Sequence, residues 1–365
     1  MGNKTSIEWT DSTWSPIRVR VKVDAPAIVR EKSYHSLEQI AVKMAGRVGQ
    51  HCEHISPGCE HCYAETNNHR CLPANGTGLP YDRRSRDLVE PFVDMNVLMQ
   101  PLKCGPMVER WTTRPNEPEL CPIPKMQPRR IFVENQSDLF GEWVTDEMLN
   151  QVFAMMAMCP QHTFQILTKR PQRMLAYLSN SDRHRNISAI ALGILDGGTP
   201  GKPTTELLHP GNWPLPNVWL GVSVEHQETV KRVWQLLKTP AAIRFVSCEP
   251  LVGSVDLDAI EALYEMWRHG ATLGTYLDWV ICGGESGPGA RPMQLSWARS
   301  LRDQCIASKV PFFFKQWGQW APTSDPAIAT ERGISLNDCM SYFSKKSDAG
   351  SLLDGREWKQ FPEAQ

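Results

Sequence analysis

Arg130-Ile-Phe-Val-Glu-Asn-Gln-Ser-Asp138 is a short apolar run that breaks into polar residues, and the pattern recurs down the chain. Thr163-Phe-Gln-Ile-Leu-Thr168 runs into Lys169-Arg170-Pro171, and Val218-Trp-Leu-Gly-Val-Ser223 is soon followed by Glu225. Arg244-Phe-Val-Ser247 runs into Cys248-Glu249-Pro250, Trp279-Val-Ile-Cys282 into Gly283-Gly284-Glu285, and Pro311-Phe-Phe-Phe314 into Lys315. Short, continuously apolar runs of this kind read as strands buried on both faces. Between them, residues 145–158, 172–178, 226–237 and 295–308 read as helices. Strand and helix in alternation predict an α/β fold with a parallel sheet covered by helices. The architecture expected is a partial or complete (β/α) barrel of the TIM type, with insertions. In such a barrel the residues past the strand ends share one rim, where chemistry sits: Asp138, Lys169, Glu225, Glu249, Glu285 and Lys315. A Rossmann sheet would also bind at its strand ends, but no G-x-G-x-x-G follows the first strand.

Upstream, Ser6-Ile-Glu-Trp-Thr10 alternates and predicts a short strand, which Thr13-Trp-Ser-Pro16 then leaves. Residues 17–51 are an excursion from the main fold, placed as a cover over the site. Within it, Arg18-Val-Arg-Val-Lys-Val23 alternates like an exposed strand, and Ser36 to Met44 has helical spacing. Residues 71–128 and 179–216, rich in Pro and Gly, are expected to be long loops. Arg83-Arg84-Ser85-Arg86 in the first of them reads as a solvated loop or as a phosphate-contacting patch. The domain organisation expected is one barrel-like domain over 1–322 and an irregular C-terminal tail over 323–365.

The 365 residues suffice for one large domain or two ordinary ones. Apolar residues at 41% and charged residues at 22% give the balance of a soluble globular chain. A net charge of −1 supplies no global attraction to nucleic acid or to an anionic membrane, although a local basic groove stays open. No run approaches 18 apolar residues, so no transmembrane helix is expected. The N-terminal MGNKTSIEWTDSTW has no apolar core of a signal peptide, and its match to a myristoylation pattern at Gly2 and Ser6 is discounted. The 11 cysteines are odd in number and scattered, which argues for a reducing cytoplasm.

Three of these thiols cluster in Cys52-Glu-His-Ile-Ser-Pro-Gly-Cys59-Glu-His-Cys62-Tyr63, spaced C-x6-C-x2-C. Ser56, Pro57 and Gly58 are turn formers that fold Cys52 back towards the other two. Three readings stand on spacing. A four-iron cube held by three thiolates leaves one iron without a protein ligand. A zinc ion would take the three thiolates with His51, His54 or His61. The third reading is three unrelated reduced cysteines.

Several segments taken together resemble a known family. They are Ser6-Ile-Glu-Trp-Thr-Asp11 with Trp14 and Pro16, Ser56-Pro-Gly-Cys59 with Cys62-Tyr-Ala64, and Ser137-Asp-Leu-Phe140. Leu167-Thr-Lys-Arg-Pro171, Val218 to Ser223, Ser247-Cys-Glu-Pro250, Gly283-Gly-Glu-Ser-Gly287 and Phe313-Phe-Lys-Gln-Trp-Gly318 complete the set. The chain resembles a phage- and prophage-associated family of three-cysteine proteins of unknown function, generally taken to be radical S-adenosylmethionine (SAM) enzymes or close relatives. The likeness runs from near residue 5 to about 320 and is poorest over 17–51.

The resemblance implies a radical SAM-like partial barrel with its cysteine loop after the first strand. The usual spacing there is C-x3-C-x2-C; here the first gap is six. Cys52, Cys59 and Cys62 would ligate a [4Fe–4S] cluster whose fourth iron takes the amino and carboxylate groups of SAM. One-electron cleavage would give a 5′-deoxyadenosyl radical, and a donor such as flavodoxin is implied. His61 stands where an aromatic residue usually lies near the adenine. Ser137 and Asp138 are expected to hold polar groups of SAM. Gly283 and Gly284 would let the backbone approach a ligand, and Glu285 would bind an ammonium or ribose hydroxyl. The radical SAM GGE motif usually lies on the second strand, so its role is not carried to Gly283-Gly284-Glu285 by position. Lys169 and Arg170 are expected to hold an anionic substrate, Arg binding it bidentately. Trp14, Trp219 and Trp317 are read as packing.

Two other function classes remain. One is a non-catalytic zinc- or cluster-bearing barrel that serves a phage or defence system beside a phage-encoded partner protein. The other, a metal-assisted hydrolase, is disfavoured because no H-E-x-x-H is present. The substrate is left open, with nucleotides and nucleic acid among the candidates.

Overall fold

The structure, a computed structural model, describes residues 5, 7–70, 76–103, 128–196, 205–258, 274, 276–323 and 340–363. Seven parallel strands form one sheet in strict chain order. They are β1 (Ser12–Trp14), β2 (Arg130–Val133), β3 (Thr163–Thr168), β4 (Val218–Ser223), β5 (Ile243–Cys248), β6 (Trp279–Cys282) and β7 (Phe312–Phe314). The sheet curls into a half-barrel whose edges, β1 and β7, do not pair with each other. The barrel expected from the strand pattern is therefore partial.

The strands are mostly apolar because both faces are dry. The two-residue pleat sends Ile131, Val133, Ile166, Leu220, Val246, Val280 and Phe312 into the core under the helices. It sends Phe132, Trp219, Phe245, Trp279, Ile281 and Phe313 to the other face, where they cluster around Trp9. Trp279 is the hub of that cluster, with ring centres 6.2 Å from Trp9, 6.0 Å from Trp219, 5.7 Å from Phe245 and 5.1 Å from Phe361.

The helices used below are α1 (Tyr63–Arg70), α2 (Asp146–Ala157), α3 (Pro171–Leu178), α4 (Arg183–Asp196), α5 (Lys231–Lys238) and α6 (Leu295–Ser308). Thr145 caps α2 by accepting from the Met148 N–H, and Asp146 and Glu147 lie favourably in its first turn. Pro171 opens α3, where its missing N–H costs nothing.

Five expectations change. The first strand is Ser12–Trp14, because residues 8–9 turn and drop Trp9 into the inner cluster; Ser6 lies outside the described residues. Ile17–Val21 is a strand but not an exposed one. It pairs antiparallel with Val48–Gly49 and Val89–Val93, and Val19 and Val21 are buried with residues of the helices Ala25–Glu31 and Glu38–Met44. The excursion is thus a small module with its own core, and one of its strands comes from the supposed loop 71–128. Within that loop Arg84 pairs with Asp82, and Arg86 with Glu53 and Glu142, so these arginines already have carboxylate partners. Residues 71–75 and 104–127 lie outside the described residues.

The supposed loop 179–216 contains α4, packed on α2; residues 197–204 lie outside the described residues. The described part of the tail, 340–363, folds back on the sheet. Met340–Tyr342 pairs with Trp320–Pro322, the Phe314 N–H donates to the Trp358 carbonyl at 2.7 Å, and Trp279 Nε1 donates to the Gln360 carbonyl at 2.8 Å. An edge strand carrying Phe312, Phe313 and Phe314 needs such a cover. The covering residues Leu353, Trp358 and Phe361 are too sparse to show a period. Among the described residues no helix is long and apolar enough to cross a membrane.

A chain cut after residue 339 loses Leu353, Trp358 and Phe361. We expect its unfolding free energy in urea to fall by several kcal/mol, since truncating one buried aromatic side chain costs about 3–5 kcal/mol. An unchanged midpoint and slope would show that the tail contributes nothing to the core.

Candidate functional site

A cavity of about 500 Å³ opens at the C-terminal ends of the strands. Asp138, Lys169, Glu249, Glu285 and Lys315, which follow β2, β3, β5, β6 and β7, all line it. Cys52, Cys59 and Cys62 line it too, and Ile7, Trp9, Phe132 and Leu167 give it an apolar wall. Glu225, which follows β4, is fully buried against the cysteine loop.

The loop folds back through its Ser-Pro-Gly turn. Ser56 is extended, Pro57–Cys59 makes one tight turn with the Cys59 N–H on the Ser56 carbonyl at 2.9 Å, and α1 starts directly after Cys62. Gly58 is required by close approach, since a Cβ there would lie 2.4 Å from Glu225 Cγ. Several strand ends hold the loop. Ser56 Oγ donates to Glu225 Oε1 at 2.8 Å, and Ser137 Oγ donates to the His51 carbonyl at 2.6 Å. Arg170 Nη2 donates to the Glu53 carbonyl at 3.3 Å, and Arg291 Nη2 to the Pro57 carbonyl at 2.9 Å. The Tyr63 hydroxyl donates to the Asn135 carbonyl.

Most of the charged residues expected to bind ligands have partners in the protein. Asp138 accepts from the Phe140 N–H, Thr168 Oγ1, the Lys169 N–H and Arg170 Nη1 at 2.7–3.1 Å, which fixes the ends of β2 and β3 together. Lys169 pairs with Glu225 and lies 3.4 Å from Cys59 Sγ. Burial pushes the Glu225 carboxyl up, but Lys169, Arg232 and Ser56 outweigh it and hold the group down at about 2. Glu285 takes Arg291 in a two-point pair, Nε to Oε2 at 2.9 Å and Nη2 to Oε1 at 2.7 Å. Gly284 lines the cavity; Gly283 stands behind it, beside Glu249. His61 lines the cavity with its ring against Gly289.

The three thiols differ electrostatically. Burial pushes Cys52 up, and the Asp138 charge adds to this against Arg170. Burial also pushes Cys62 up, against hydrogen bonding from the Glu65 and Ala64 backbone in the first turn of α1. For Cys59 burial acts the same way, but Lys169 and hydrogen bonds from Ile55 and Ser56 reverse it, so Cys59 ionises most readily. The neighbouring histidines are directed elsewhere. His51 is buried with Nε2 3.8 Å from Glu53, and His54 Nε2 is 3.0 Å from Glu65. Among the described residues no three His, Cys, Asp or Glu side chains are arranged around a single metal ion.

Two groups were not singled out as site residues from the sequence. Glu249 accepts from Lys315 Nζ at 2.8 Å, and from Trp9 Nε1 and Ser247 Oγ at 3.2 Å each; its signal was its place after a strand. Glu134 directly follows β2 with a left-handed φ of +56°, lines the cavity and is buried. Its Oε1 accepts the Ile17 N–H at 2.8 Å, while Oε2 is buried without a hydrogen-bond partner. Nothing in Glu-Asn-Gln-Ser-Asp distinguishes that first acid, because the backbone twist and the Ile17 contact are tertiary. Burial pushes its carboxyl up to about 8, with the Ile17 N–H and Arg18 pulling the other way.

The folded state therefore binds this proton more tightly than the unfolded state, whose carboxyl titrates near 4.5. Stability contributed by the protonated form is lost as pH rises from there through about 8. At one pKa unit per 1.4 kcal/mol, the cost of ionisation is on the order of 5 kcal/mol. Glu134→Gln should melt above the wild type at pH 9, with the gap closing towards pH 5. A gap that is independent of pH would refute the assignment.

No curated protein and no solved structure matches the chain. A family model does match, over residues 46–362, which takes in the cysteine loop, β2 to β7 and almost all of the described tail. The chain therefore belongs to the DUF5131 family, described as proteins of unknown function.

Proposed function

We propose that the chain is a radical SAM enzyme whose [4Fe–4S] cluster is held by Cys52, Cys59 and Cys62. The observation that carries this reading is the position of the loop. Three thiols from the segment between the first and second strands are brought to one cavity at the C-terminal rim of a curled parallel sheet. Neither His51 nor His54 lines the cavity with the thiols, and Glu65 engages His54, which favours three thiolates over a zinc site completed by either of them. The reading makes the protein an intracellular one of the phage-associated kind, served by a flavodoxin-like electron donor.

When bound, the cluster and SAM would supply a 5′-deoxyadenosyl radical that takes a hydrogen atom from substrate. The chain's own residues would do the rest. Glu134 directly follows the second strand, where the radical SAM acidic motif usually lies, and on giving up its proton its carboxyl would offer the unpartnered Oε2 to the ammonium of SAM. Glu285, engaged by Arg291, acts as a strut for the loop. His61 would lie against the adenine. Trp9, Phe132 and Leu167 would keep water from the reacting face. Lys346 lines the cavity with no ion pair among the described residues, and would meet an anionic group of SAM or substrate.

Anaerobic reconstitution with iron and sulfide tests the reading. The expected product is a brown protein that, with dithionite and SAM, releases 5′-deoxyadenosine, and Cys59→Ala should abolish the release. A colourless protein with stoichiometric zinc would overturn it and leave a structural metal site on a partner protein.

A further inference from the structure

We infer that Lys169 is a positioning residue that donates a hydrogen bond to Cys59 Sγ and thereby raises the reduction potential of the cluster. The inference rests on the cluster reading above. Lys169 follows β3, and its backbone N–H is pinned by Asp138 Oδ2 at 3.1 Å. Its Nζ lies 3.4 Å from Cys59 Sγ and 3.4 Å from Ser56 Oγ, and it forms an ion pair with Glu225. An ammonium carries three protons, and here it faces three acceptors.

The proton count decides which group serves the sulfur. Ser56 Oγ is 3.8 Å from Cys59 Sγ, but a hydroxyl has one proton, and Glu225 Oε1 at 2.8 Å accepts it. That leaves Lys169, among the described residues, as the side-chain donor to Cys59. Glu225 is fully buried and also held by Arg232 Nη1 at 2.8 Å, so it fixes the ammonium beside the sulfur. A thiolate-ligated cluster gains negative charge on reduction. A cation and an N–H···S bond favour that extra electron, and hydrogen bonds to sulfur are among the levers that set cluster potentials.

The test is a redox titration of the reconstituted cluster, followed by electron paramagnetic resonance, with iron and sulfide content measured alongside. Lys169→Met should make reduction harder by at least tenfold in the reduced-to-oxidised ratio at fixed potential, about 59 mV for a one-electron couple. Lys169→Arg should recover most of the shift. Glu225→Gln keeps the ammonium and removes its counter-charge, so its midpoint should move the opposite way. A cluster whose midpoint is unmoved in Lys169→Met, or shifts of the same sign in Lys169→Met and Glu225→Gln, would overturn the inference and leave the cluster reading intact. A Lys169→Met protein that folds but holds no iron would also overturn it, making the residue a prop for the loop. A wild-type protein that assembles no cluster would overturn both.

Discussion

The site depends on a carboxylate with no exposed surface. Glu225 lies at the end of β4, directly beneath the cysteine loop, and it is ionised there because Lys169, Arg232 and Ser56 surround it. Taking a charge out of water costs several kcal/mol, and the cost is offset only when the partners are placed well. That requirement joins the end of β3, the first turn of α5 and the turn of the cysteine loop around one side chain. Gly58 follows from the same constraint, because any Cβ at that position would enter the volume of Glu225.

Around this anchor the rim charges neutralise one another. Asp138 holds Arg170, Glu249 holds Lys315, Glu285 holds Arg291, and Glu53 holds Arg86. The residues past the strand ends therefore form a scaffold that aims the thiols. Among the described cavity residues, Glu134 and Lys346 stand apart from the ion pairs, one buried with an unpartnered oxygen and one exposed. A ligand with a donor at one end and an anion at the other would match both.

The strands from β2 to β7 were legible because a sheet dry on both faces writes itself as mostly apolar runs, and α6 because Leu295, Ala298, Leu301 and Cys305 recur at helical spacing. The cysteine loop was legible because its turn residues are local. The rest was not, for tertiary reasons. Trp9 sits in an alternating stretch that turns, because the inner aromatic cluster needs its ring. Val19 and Val21 are dry on the face that two later helices cover. The tail is held by an aromatic surface that only the folded sheet creates. The ion pairs of Glu285 and Lys169 could not be read either, since each partner is distant in sequence or depends on the fold of the loop.

That distance sets an order of events during synthesis. Glu225 is 169 residues downstream of Ser56, and Arg291 is 234 downstream of Pro57. At about 5–20 residues per second the ribosome needs on the order of 10–50 s to travel from the loop to its last anchor. The thiols emerge early and are seated late. Through that interval only the earlier contacts from Asn135, Ser137 and Arg170 can hold the loop, so the geometry that would accept a metal or cluster is complete only once β4 and the segment after β6 have been made.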